Sequence, residues 1–137
     1  MGISEKKQIK FYQRLGELFY AIAATDKVVR KDEFAALKKL VETEWTSSDD
    51  LKDEFESNAV YQMEIIFDWY NYQHVDAQVR FDNFCNYYKD NKKLFTPKRK
   101  QLIWKTANAI ADSFAGKNKS EVIMLTKLLL LIQDEND

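Results

Sequence analysis

Three glycines and one proline are spread through 137 residues, and that scarcity constrains the fold before anything else. A many-stranded β fold needs tight turns at short intervals, and Gly and Pro are the residues that make them. The apolar residues instead recur at spacings of three and four, the period of a helix with one face on a core. With 45% apolar and 31% charged residues the balance is globular. The expected fold is all-α, about seven helices in one domain over 1–137, long enough to bury a core without staples.

Residues 5–25 read as the first helix, with Tyr12, Leu15, Phe19 and Ile22 inward. Residues 31–45 read as the second, with Phe34, Leu37, Leu40 and Val41 on one face. Ser47-Ser48-Asp49-Asp50 puts a hydroxyl cap before carboxylates and starts a short third helix, around 49–56. A fourth over 58–73 turns Val60, Met63, Ile66, Phe67 and Tyr70 inward, and a fifth over about 76–91 does so with Phe81, Phe84, Cys85 and Tyr88. These middle helices span about 49–91. Thr96-Pro97, a cap followed by an N1 proline, opens a sixth helix that reaches about Phe114. Asn118-Lys119-Ser120-Glu121 is a capping box. The last helix, VIMLTKLLLLI, is apolar on nearly every side and is expected at the centre of the bundle.

The chain also matches itself. Shifted by 88 residues, Lys10–Val41 lies on Lys98–Leu129 without a gap, and ten of the 32 pairs are identical. Ala21-Ile22-Ala23 falls on Ala109-Ile110-Ala111, Glu33 on Glu121, Leu37 on Leu125 and Leu40 on Leu128. Each copy is a helix ending in small residues, a short loop, and a helix opening near a Glu. Two amphipathic hairpins agree at some apolar positions by chance. The ungapped loop and the doubled Ala-Ile-Ala favour a pseudo-duplicated hairpin at each end of the chain, about 10–41 and 98–129.

The first copy, Ala23-Ala24-Thr25-Asp26-Lys27-Val28-Val29-Arg30-Lys31-Asp32-Glu33, resembles the signature of the tellurite-resistance TerB-like family, whose loop reads roughly Ala-Asp-Gly-x-Ile/Val with a Glu four residues on. Asp26, Val29 and Glu33 fall at matching positions. The resemblance implies an all-α fold with two related hairpins flanking middle helices. It also implies a stress-related scaffolding or sensing role without settled catalysis, and acidic loop residues able to bind a divalent cation. Lys27 stands where the family has Gly, and Arg30 where it has a small capping residue. In the second copy Asp26 aligns with Phe114, while Asp112 sits out of register.

On that resemblance Asp26, Glu33, Asp112 and Glu121 form a candidate metal set, since carboxylates suit hard cations. Lys27, Arg30, Lys31, Lys117 and Lys119 in the same loops would largely neutralise it. Each acid has a plainer role: Glu121 and Glu33 as capping-box residues, Asp26 in an Asx-turn. No other cofactor is expected. His74, the single histidine, cannot make a His-rich metal set, and HExxH is absent. Position 71 is Asn, so the Glu-x-x-His pattern of di-iron bundles is missing. Cys85 lies on an apolar helix face, where a buried inert thiol is the commoner finding. No Gly-rich phosphate loop exists. The expectation is a non-catalytic interaction or scaffold module, with cation binding or sensing as the alternative.

The net charge of -1 gives no global pull toward nucleic acid or acidic lipid. Residues 42–56 are acidic and 89–105 basic, which reads as partner surfaces, as solvated junctions, or as mutual complementarity inside one molecule. Nucleic acid is not the expected partner. A protein partner or a homodimer is, through aromatic contacts at Trp45, Tyr72 and Tyr87. No apolar run is long enough to span a bilayer, and the start MGISEKKQIKFYQ lacks a signal-peptide core. Met1-Gly2 opens like a myristoylation site, but Lys6 stands where Ser or Thr is required. Peripheral membrane association therefore has no sequence support, and a cytoplasmic location is expected.

Overall fold

The computed structural model describes residues 4–48, 54–113 and 116–133, and they are helical, with no strand among them. In order the helices are α1 (Glu5–Ala23), α2 (Lys31–Leu40), α3 (Glu54–Ala59), α4 (Gln62–Gln73), α5 (Ala77–Asp90), α6 (Pro97–Asp112) and α7 (Lys119–Ile132). A π-helical turn, Val41–Trp45, extends α2, and a 3₁₀ turn, Lys92–Leu94, precedes α6. Asp49 and Asp50 of the expected third-helix start, and Phe114 at the expected end of the sixth, lie outside the described residues.

Local chemistry sets the ends. The Ser4 hydroxyl accepts from Lys7 N–H, Asp76 from Val79 N–H, and Thr96 from Arg99 N–H, each satisfying a first-turn donor. α4 stops at His74, which takes the left-handed conformation at φ 53° and closes the last turn with N–H bonds to Tyr70 and Asn71 carbonyls.

The centre of the bundle is α1, where every residue from Leu15 to Ala24 is buried. α4, α5, α6 and α7 all lean on it, while α2 rests chiefly on α6. The closest approach is at Gly16, where a Cβ would stand 2.6 Å from the Met63 carbonyl oxygen. Phe95 collects Phe11, Phe84 and Tyr88 around itself at ring distances of 5.2, 5.9 and 4.6 Å.

Two expectations are corrected here. α7 is not central: it rests on α6 and α1 alone among its principal neighbours, and Val122, Ile123 and Leu130 face solvent. Its all-round apolar character exceeds the cover the other helices provide. Trp45 is not an exposed contact either. It is buried, stands edge-on to Tyr12, and donates its indole N–H to the Thr106 hydroxyl at 3.0 Å. The π turn continues the inward stripe of α2 onto α6. At that seam Lys105 meets Glu44 at 3.1 Å, so the basic and acidic stretches touch within the molecule.

Candidate functional site

The loop from α1 to α2 and the loop from α6 to α7 meet at one end of α1. In the first loop Asp26 Oδ1 accepts from Val28 N–H at 3.1 Å, an Asx-turn. Lys27 then takes φ 68°, the left-handed region that glycine favours. Arg30 opens α2 without an acceptor in its side chain. Its backbone N–H donates to Glu33 Oε1 at 2.7 Å, and its guanidinium donates to Asp26 Oδ2 at 3.0 Å.

The second loop repeats the arrangement with a better cap. Asn118 Oδ1 accepts from Glu121 N–H at 2.8 Å, and Glu121 Oε1 accepts from Asn118 N–H at 3.0 Å. Asn118 Nδ2 then donates to Asp26 Oδ2 at 3.1 Å, tying positions 92 residues apart. The two third-position glutamates, Glu33 at 1% exposure and Glu121 at 2%, are both buried. Burial, reinforced by the neighbouring Glu121 carboxyl, pushes the Glu33 carboxyl up to about 7.

The four sequence-selected acids therefore do not share one position. Glu33 and Glu121 form a pair, and Asp26 bridges the loops through Arg30 and Asn118. Asp112 stands apart, exposed and paired with Lys117 at 2.7 Å. Among the described residues no three His, Cys, Asp or Glu side chains are grouped so as to hold a metal ion.

Of the expected aromatic contacts, Tyr72 is 79% exposed and stacks on exposed Trp69, with ring centroids 6.4 Å apart. Ile65 completes an outward stripe on α4 at i, i+4 and i+7. Tyr87 is half-buried, edge-on to Phe95 at 6.1 Å, and burial raises its hydroxyl pKa. The Cys85 thiol is likewise pushed up, by burial and then by Asp82, which disfavours the reactive thiolate. His74 is an exposed helix end.

Sequence reading missed Glu17. It is fully buried on α1, with Arg14 and Arg80 each 2.9 Å away and Asn83 at 3.2 Å. The available signal was a single charge inside the otherwise uncharged run Leu15–Ala24. Also unforeseen are two open hollows that share Lys127 of α7, one lined by Tyr20, Ala24, Val75 and Ile123 and the other by Phe81, Cys85 and Leu130. Among the described residues no helix is long and apolar enough to cross a membrane. Comparison with family models, curated proteins and solved structures finds no match to the chain.

Proposed function

We propose that this chain is a non-catalytic helical interaction module, TerB-like in architecture and stress-related in context, that engages another protein through the outer face of α4. The observation that carries this reading is the stripe of Ile65, Trp69 and Tyr72, three large apolar side chains held outward on a rigid helix. Exposed amphipathic aromatics of this kind are the residues that anchor protein interfaces. The same helix carries Glu64 and Asp68 and no Lys or Arg, so the complementary surface is apolar with a basic rim. The pairing of Glu33 with Glu121, each in the first turn of its helix, supports the duplicated-hairpin part of the reading.

Site-specific photo-crosslinking tests it. A benzophenone side chain at position 72 should trap a defined protein with basic residues at the crosslinked site, and Trp69→Ser should reduce the yield several-fold. The same probe at Asp90, an exposed helix end, should trap nothing. A yield at position 72 no higher than at position 90, together with a strict monomer in sedimentation, rejects the reading.

A further inference from the structure

We propose that the cleft between α5 and α7 is a docking groove for an amphipathic, acid-flanked helix of another protein. This extends the interaction-module reading to a second surface, separate from the α4 stripe. α5 and α7 both rest on α1 and barely on each other, so the space between them lacks the helix that would close the layer. Two hollows of about 880 and 980 Å³ open there, with Lys127 on the wall of both.

The walls carry helical periodicity. Ile123, Lys127 and Leu130 stand at i, i+4 and i+7 on α7, and Leu130 is 66% exposed. Ala77, Phe81, Cys85 and Tyr88 run along the facing side of α5, and Tyr20 with Ala24 of α1 forms the floor of the upper hollow. From Ser120 on α7 to Gln133 just past its end the groove follows fourteen residues, about 20 Å at 1.5 Å per residue. A helix of similar length laid between two such walls buries one apolar stripe against them.

Charge selects the occupant. Among the described residues Lys27, Lys89 and Lys127 line the groove with Asp76 as their one acidic neighbour in the lining, so the occupant's flanks are acidic. A concave groove with two apolar walls suits a helix better than a flat lipid surface.

The test uses the full chain and three labelled eighteen-residue helical peptides. One has leucines at i, i+4 and i+7 with glutamate flanks, the second the same leucines with lysine flanks, and the third a scrambled glutamate sequence. Anisotropy should show the glutamate-flanked peptide binding at least tenfold tighter than both controls, with the preference shrinking as salt rises. Lys127→Glu and Leu130→Ser should each weaken it about tenfold, and Tyr72→Ser should leave it unchanged. Equal binding of all three peptides, or no effect of Lys127→Glu, overturns the proposal. So does preferential binding to anionic phosphatidylserine vesicles that Leu130→Ser abolishes. Self-association lost in Asp68→Lys and restored by mixing it with Lys127→Glu would also overturn it, assigning the groove to a second copy. Because position 72 is the control, failure here leaves the α4 reading standing, and failure there leaves the groove.

Discussion

Burial, with the Glu121 carboxyl close by, disfavours the charged form of Glu33, so this carboxyl keeps its proton toward neutrality. The folded-state pKa of Glu33, about 7, lies above its ordinary value of 4.5. The native chain thus binds more protons than the unfolded one between those limits, and stability falls as pH rises through that window. At 1.36 kcal/mol per unit the loss is about 3 kcal/mol at most. Glu33→Gln removes the charge conflict and keeps a third-position amide that accepts the cap N–H. Urea unfolding at pH 5 and pH 8 should show the wild type losing stability and the Gln variant holding it, with the variant ahead by about 1–2 kcal/mol at pH 8. A wild-type curve parallel to the variant's would mean that Glu33 is not held protonated by its surroundings. Lys27 poses a simpler question. Its left-handed backbone strains any side chain with a Cβ, so Lys27→Gly should stabilise by about 0.5 kcal/mol and Lys27→Val should cost about 1 kcal/mol in thermal melts.

The crossing of α1 and α4 depends on one missing methyl. Any Cβ at position 16 meets the Met63 backbone, which cannot swing aside as a side chain would. Gly16→Ala should therefore cost about 2 kcal/mol despite alanine's better helix propensity, as overpacking outweighs propensity at a tight contact. An unchanged chemical-denaturation midpoint would show that α4 can move away. The sequence announces α1 and α5 by apolar residues at helical spacing and α6 by the Thr96-Pro97 start, each within a few residues of where the helix lies. It announces the Glu33 and Glu121 boxes as well, but not that the two carboxyls meet, since that depends on how the hairpins cross. Trp45 was legible and misjudged: Phe34, Leu37, Val41 and Trp45 continue one inward stripe, and the π turn completes it. α7 was illegible for a different reason. An apolar helix reports what it can bury, whereas its burial depends on what lies beside it.

At the scale of the molecule the helices do not share one degree of cover. α1 touches nearly every neighbour, while α7 leans on α6 and α1, with one flank on the cleft. At its start the Asn118 cap donates to Asp26 of the α1–α2 loop, and Glu121 is buried. Beyond its first turn Met124, Leu125, Leu128 and Ile132 are buried and Leu131 packs partly against the core. Local opening costs less where fewer apolar contacts must be broken, so α7 should open sub-globally while α1 exchanges only through global unfolding. Native-state hydrogen exchange at low denaturant should therefore rank the 124–132 amides below those of 15–23. Asn118→Ala should lower α7 protection further, by about 1 kcal/mol for a lost cap, and leave the α1 amides changed only by the global difference. Equal protection of α1 and α7 in the wild type would mean that the bundle unfolds as a single cooperative unit, with its outer helix held as firmly as its centre.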